Sequence, residues 1–269
     1  MTLADLPEGM RLKAEAGWNQ VEADWRRFLD MADGGAFVAE REGRVVGSVT
    51  SRLFGPVGWV AMLLVERARR GEGIGRRLLM RSLEHMKFQG AESFRLDATA
   101  AGRPLYESLG FRVDFPLARY RGVLRNAGGD ETTRAVGPEE AEAVAALDRT
   151  VTGTDRRVLI KRLLHDNPDD CLVAGSVQGF VCWRPGSGAD QVGPCIAGPE
   201  CGGGLLDGVS RRLAGREVIV DVLTAHREAV NWAEGSGLRP SREFWRMTRG
   251  EAVVEDQSRL WASSGPEMG

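Results

Sequence analysis

Tyrosine and histidine are scarce in this chain. Of 269 residues only two are tyrosine, Tyr106 and Tyr120, and three are histidine, His85, His165 and His226, far apart in sequence. A hydroxyl or imidazole with a chemical role therefore has few candidates. The four cysteines, Cys171, Cys182, Cys195 and Cys201, include no C-x-x-C pair, and the nearest histidine, His165, stands alone. That spacing supplies no zinc ligand set, so no metal is expected, and the thiols read as free in a reducing compartment. No apolar run approaches the roughly 18 residues a membrane span needs. Residues 1–7 carry Asp5 and no basic cluster, which does not suit a signal peptide. The expectation is a cytoplasmic protein with no membrane attachment.

What is present is an ordinary globular composition, 42% hydrophobic and 28% charged, in a length that suits two modest domains. The net charge of -2 hides an asymmetry. Residues 67–125 hold thirteen basic against six acidic side chains, a local +7, which leaves -9 for the rest. A basic block of this kind suits a polyanionic ligand, although much of it reads equally as a solvated helix face.

Hydrophobic periodicity places helices at 7–16 and 20–30, a hairpin of strands 36–40 and 45–50, a nearly all-apolar central strand at 58–65, and a helix at 74–88. A strand at 93–98, a short helix at 102–109 ended by Gly110, and strand structure over 111–123 follow. Residues 126–130, Asn-Ala-Gly-Gly-Asp, read as a linker. Beyond them the same order returns: helices 138–150 and 155–165, a hairpin within 171–183, a strand at 191–197, a helix at 203–214, a strand at 217–223, a helix at 227–234 and a strand at 244–249. Both halves carry an aspartate in the late strand, Asp97 and Asp221, and they end alike, Arg119-Tyr-Arg-Gly122 against Met247-Thr-Arg-Gly250. This pattern predicts an internal duplication of one α/β unit, with domains at 1–126 and 131–255 and a loose tail after Asp256.

Between the central strand and the 74–88 helix lies Arg70-Gly71-Glu72-Gly73-Ile74-Gly75. Glycines let the backbone turn tightly and approach a ligand. The first N–H groups of the helix have no internal partner, and with the helix dipole behind them they suit a pyrophosphate. Arg70, Arg76 and Arg77 can add charge-assisted bonds. The glycine spacing does not match a dinucleotide-binding G-x-G-x-x-G, and the Gly-Lys-Ser/Thr ending of a Walker turn is missing.

This Arg70-x-x-Gly73-x-Gly75 turn after an apolar strand resembles motif A of the GNAT N-acyltransferase family, and Leu105-Tyr106-Glu107-Ser108-Leu109-Gly110-Phe111 resembles its motif B. The resemblance implies an α/β fold of the α+β type, a mixed and mostly antiparallel sheet flanked by helices. It implies that the amides of Gly71 to Gly75, Glu72 and Ile74 included, hold the pyrophosphate of acetyl-CoA or another acyl-CoA. It implies further that Leu63, Leu64 and Val65 run beside the pantetheine arm, with a main-chain N–H near Leu64 or Val65 as oxyanion donor. Thr99 stands where many relatives carry a cofactor-contacting asparagine. Tyr106 matches the position whose hydroxyl faces the coenzyme sulfur. Shorter stretches, Gly17-Trp18-Asn19-Gln20, Leu96-Asp97-Ala98-Thr99 and Gln191-Val192-Gly193-Pro194, resemble a bacterial subgroup with a second, degenerate GNAT-like domain.

The reaction so implied is attack of a primary amine on a thioester, with positioning, an oxyanion donor and an acid for the leaving thiolate as its needs. Tyr106 is the expected acid. The base is open: Asp97 reads as a wall of the acceptor site or as a structural carboxylate, and Glu72, Asp24 and Glu22 are weaker candidates. Trp18 and Asn19 are expected at the acceptor site. In the second half the turn becomes Gly198-Pro199-Glu200-Cys201-Gly202-Gly203-Gly204, with no arginine, and Ala233 stands at the count of Tyr106. That half is expected not to catalyse. The acceptor is expected to be a small-molecule amine, with a slight leaning to a cationic one from the -9. Nucleic acid is not expected as a ligand. The alternatives are an aminoacyl-tRNA as donor, or a non-catalytic acyl-CoA sensor, and the chain is expected as monomer or homodimer.

Overall fold

The computed structural model describes residues 1–128 and 133–269. The first half runs α1 (Leu6–Glu15), α2 (Glu22–Asp30), β1 (Phe37–Arg41), β2 (Arg44–Phe54), β3 (Val57–Val65), α3 (Ile74–Phe88), β4 (Ser93–Ala98), α4 (Arg103–Glu107) and β5 (Arg112–Val123). The second runs β6 (Thr133–Ala135), α5 (Ala141–Thr152), α6 (Arg157–Asp166), β7 (Cys171–Ala174), β8 (Gly179–Arg184), β9 (Asp190–Ala197), α7 (Gly202–Arg212), β10 (Glu217–Leu223), α8 (Arg227–Gly235), β11 (Arg239–Gly250) and β12 (Leu260–Ala262). Of the expected linker, 126–128 is irregular, while 129 and 130 lie outside the described residues. Among the described residues no helix is long and apolar enough to cross a membrane.

The strands form one sheet in the order β1-β2-β3-β4-β11-β5-β10-β9-β8-β7-β6, with β12 paired to β9. The sheet is mixed and mostly antiparallel; β3–β4 and β9–β10 are the parallel pairs. The order shows that the last strand of each half has crossed over. β11 inserts between β4 and β5, and β5 pairs with β10. The repeat expected from the sequence is therefore built as a reciprocal strand exchange.

The two late-strand aspartates lock this exchange. Asp97 on β4 receives Arg246 of β11 through both carboxylate oxygens, at 2.8 and 2.9 Å. Asp221 on β10 receives Arg119 of β5 in the same way, at 2.7 Å twice. Both pairs are buried, so their bidentate geometry has to offset the desolvation of two charges. Burial works against the charge of Arg246, yet Asp97 and Glu255 more than offset it and raise its pKa. The pairing registers Asp97 with Arg246 and Asp221 with Arg119. Arg119 is thus the counterpart of Arg246, one residue from the Met247 to which the likeness of the two strand ends assigned it.

Packing follows from amphipathic faces. Ile74, Leu78, Leu79, Leu83 and Met86 of α3 cover one side of the first-half sheet with Phe94, Leu96 and Met247. Trp25 and Phe28 of α2 cover the other with Phe54, Trp59 and Met268. Strand β2 runs to Phe54, four residues past the end at residue 50 expected from the sequence. Arg52 stays buried because its guanidinium stacks on Phe28 and Phe54, 5.0 and 5.9 Å from the ring centroids. Residues after Asp256 are not loose. Positions 260–269 are almost wholly buried, β12 pairs with β9, and Trp59 donates its indole N–H to the Pro266 carbonyl at 3.1 Å.

Candidate active site

The parallel pair β3–β4 is short. It joins Val57, Gly58 and Trp59 to Ser93, Phe94 and Arg95 and then stops. Just beyond, β3 carries a bulge opposite β2, where the pairs Ala61–Thr50 and Leu64–Ser48 leave two residues against one. Met62 there has φ 50°, and the Ser48 hydroxyl donates to the Met62 carbonyl at 3.0 Å. A bulge bends a strand and ends regular pairing. The strands part, and a cleft of about 800 Å³ opens between Val60–Val65 on one side and Leu96, Asp97 and Thr99 on the other.

The glycine turn closes one end of this cleft. Gly71 and Gly73 have φ of +86° and +76°, a region open to glycine but strained for other residues. A Cβ on Gly71 would meet nothing within 4 Å, so the space above the turn is open. Gly73 is the N-cap of α3 and no side chain caps the helix. The first N–H groups of α3 are therefore uncommitted and face the cleft with the positive end of the dipole. Arg70 and Arg76 line the same space. Arg70 Nε donates to the Val65 carbonyl at 3.2 Å, and Arg76 is steadied by the Ser108 hydroxyl at 3.2 Å. The Glu72 side chain turns away toward Arg69 and Arg41, at 3.5 and 3.8 Å, and does not line the cleft. An uncapped helix start with two arginines and open space above it suits a pyrophosphate.

Tyr106 stands on α4 across from the turn and borders the cleft. It packs edge-on against Phe111, ring centroids 6.0 Å apart, and its ring lies over Gly102. Thr99, also on the wall, holds the Gly102 N–H through its hydroxyl at 3.3 Å. The tyrosine is half-buried as a whole because one edge faces the cleft. Desolvation nevertheless dominates its titration and pushes the phenol up to about 12. It is a neutral O–H donor throughout the physiological range.

Leu63, Leu64, Val65, Arg70, Gly71, Gly73, Ile74, Gly75, Arg76, Thr99, Tyr106, Trp18 and Asp97 thus all border one cleft. Two of the residues expected at the acceptor site have other attachments. Asn19 fixes the two halves together: its amide donates to the Ala189 carbonyl at 2.9 Å and accepts the Gly188 N–H at 3.1 Å. It does not line the cleft. Asp97 borders the cleft, but both its oxygens are engaged by Arg246, so it is not a free base.

Sequence reasoning missed the wall opposite the turn. Gln20, Arg119, Arg242, Phe244, Pro266 and Glu267 line it. Four of these come from β11 and the buried tail, more than a hundred residues from the glycine turn. No local signal could have placed these four; the crossing of β11 and the return of the buried tail do so.

The second half has the matching space, filled by the chain itself. β9 and β10 pair only over Asp190–Val192 and Val218–Val220 and then part. β12 lies in the gap. It pairs with β9 at Cys195 and Ile196, and Ser263 N–H donates to the Asp221 carbonyl on β10 at 2.8 Å. Trp261 sits against Gly202 at the start of α7, so close that a Cβ on Gly202 would overlap its indole. His226 packs on the same indole, 4.6 Å between centroids.

Family comparisons agree with this geometry. Residues 8–111 match a model described as "Acetyltransferase (GNAT) family" and residues 144–262 one described as "Acetyltransferase (GNAT) domain". A mycothiol acetyltransferase from Thermobispora bispora is 31% identical over 143 residues, covering 40% of this chain and 48% of the relative. A second, from Thermomonospora curvata, is 37% identical over 81 residues, 29% of this chain and 27% of the relative. The chain thus spans half or less of these curated relatives. A putative acetyltransferase from Pyrococcus horikoshii shares the fold over 100% of this chain and 94% of its own, with TM-score 0.86 at 20% identity. With a family model matched in each half and the fold shared over its whole length, the chain belongs to the GNAT acetyltransferase family and carries two such domains in tandem.

Proposed function

We propose that the first half transfers an acetyl or related acyl group from coenzyme A to a primary amine of a small molecule, by direct attack on the thioester. One observation carries this reading: the uncapped start of α3 and Tyr106 open on the same cleft. The amides of residues 71–75, with Arg70 and Arg76, hold the pyrophosphate. Leu63 to Val65 run beside the pantetheine arm, and a main-chain N–H of that segment receives the developing oxyanion. The amine nitrogen bonds to the carbonyl carbon, the carbon–sulfur bond breaks, and the thiolate takes the proton of the Tyr106 hydroxyl. With Asp97 spent on Arg246, the amine reacts in its neutral form. The proton it gives up passes through cleft water and restores the phenol. The relatives named mycothiol acetyltransferase support acetyl as the group and a small-molecule amine as the acceptor.

The domains are taken as 1–126, catalytic, and 131–255, non-catalytic, with β5 and β11 exchanged between them. The second unit has Trp261 where the first has its open turn, and the buried Ala233 where the first has Tyr106. Its role is to build the acceptor wall. Calorimetric titration of nucleotide-free protein with acetyl-CoA tests the reading, with an Arg70→Glu, Gly73→Asp double variant as control. One site per chain, lost in the variant, is expected. No binding by the intact protein would overturn it.

A further inference from the structure

The wall opposite the turn contains a guanidinium that has no counter-ion among the described residues. Arg242 belongs to β11, on which successive side chains alternate between faces. Trp245 and Met247 pack with the α3 layer. Phe244 packs into the opposite layer with Phe115 and Leu117, and Arg246 stacks there on Trp59, 4.9 Å from the ring centroid. Arg242 shares the side of Phe244 and Arg246. It is therefore on the other side of the sheet from α3, and it is not part of the phosphate turn. It is half-buried and lines the cleft.

The neighbouring arginines are all matched: Arg246 with Asp97 and Glu255, Arg119 with Asp221, Arg184 with Glu267. Among the described residues no carboxylate pairs with Arg242. Burial and the adjacent Arg119 lower its pKa, and Asp221, which acts on it in return, is already bound by Arg119. A partly desolvated cation beside another cation is costly unless an anion arrives to offset it.

A second unmet group lines the same cleft. Gln20 is buried, and its Nε2 donates to Glu267 Oε2 at 2.9 Å. A carboxylate there can only accept, which fixes the amide orientation. Among the described residues no donor reaches the buried Oε1. A small turn of the amide toward the cleft that Gln20 lines would let an N–H or O–H of a bound molecule meet it.

On the basis of the acyltransferase reading, we infer that the acceptor is an amine that also bears an anionic group, carboxylate or phosphate, with Arg242 binding the anion and Gln20 Oε1 taking an N–H or O–H of the same molecule. Amino acids, short peptides and phosphorylated amines are the classes that fit. This adds an anionic group to the acceptor, where the charge of -9 outside residues 67–125 gave only a slight leaning to a cationic one.

The test uses matched acceptors with acetyl-CoA and the full chain: amino acids against their methyl esters, and phosphoethanolamine against ethanolamine. Acetyl-CoA binding is followed separately by calorimetry. The intact protein is expected to favour the anionic member of at least one pair by about tenfold or more in kcat/KM; which pair does so separates carboxylate from phosphate. Arg242→Leu is expected to lower kcat/KM for the anionic member by about ten- to a hundredfold, mainly through KM, as loss of a charged hydrogen bond predicts. Arg242→Lys should recover part of the preference. Equal or better use of the neutral members, or equal loss for both members in Arg242→Leu, overturns the inference. So does weakened acetyl-CoA binding in that variant, which would assign Arg242 to the cofactor. Acetyl-CoA bound with none of these acceptors acylated also overturns it and leaves the cofactor site standing. Failure of the intact chain to bind acetyl-CoA would remove the acyltransferase reading itself.

Discussion

Tyr106 and Gly75 illustrate how much one residue decides. Burial keeps the phenol protonated to about 12, so the pH–rate profile is expected to rise as the acceptor amine loses its proton and not to turn down near pH 10, where an unperturbed tyrosine ionises at about 10. A decline with a midpoint near 10 would show that the hydroxyl is solvated. Tyr106→Phe should cost about 10²- to 10⁴-fold in kcat, with acetyl-CoA affinity retained; an unaltered kcat would remove the acid role. Gly75 separates folding from binding. It lies inside α3, and a Cβ there would make only ordinary contacts, 3.5 Å to Val65 and 3.7 Å to Leu105. Gly75→Ala should therefore keep or slightly raise Tm, since alanine is the better helix former by about 1 kcal/mol. The same methyl projects into the space assigned to the cofactor, so the KM for acetyl-CoA should rise. Stable protein with unchanged KM would move the pyrophosphate away from Gly75.

At the scale of elements, the crossing strands and the wedge between β3 and β4 carry the argument. Each late aspartate holds the strand that arrives from the other half. Asp97→Asn leaves Arg246 a buried, underneutralised cation, and removing one partner of such a pair costs about 3–5 kcal/mol. A fall in denaturant midpoint of that order, measured by urea unfolding, is expected; a loss under about 1 kcal/mol would mean that Glu255 alone suffices for Arg246. The helices, the hairpins and the glycine turn were legible because each is a local pattern: a 3.6-residue apolar repeat, an alternating strand, a strand–glycine–helix junction. The one-residue error in matching Arg119 to Met247 has a physical origin. The strand ends resemble one another in composition, but β5 and β11 are irregularly registered at two points, and only pairing to Asp221 and Asp97 reveals the true equivalence.

Across the whole molecule, the duplication leaves an open cleft in the first half and a filled gap in the second. The residues after Asp256, expected as a tail, thread from the gap between β9 and β10 to the wall of the first cleft opposite the glycine turn. They fill the second site with β12 and Trp261 and deliver Pro266 and Glu267 to the first. Removing residues 257–269 should lower Tm by several degrees and impair acyl transfer together, measured by thermal unfolding and steady-state assay on the same sample. A shortened chain with full stability and activity would return the segment to the status of an appendage.

The sequence by itself determined the family-like turn, the order of elements, the repeat and, through the resemblance of residues 105–111 to motif B, the candidacy of Tyr106. The turn and each element are near-neighbour patterns, and the repeat and the order are such patterns compared along the chain. Tertiary structure decided everything that depends on which distant strands meet. It took Asp97 from candidate base to ion pair, moved Asn19 from acceptor loop to domain junction, and placed Arg242, Gln20 and Glu267 on one wall. The reason is that β4 has two edges and the sequence names the partner of neither. Whether β5 or β11 docks beside it is settled only by the buried pairing of Asp97 with Arg246, across 149 positions of chain.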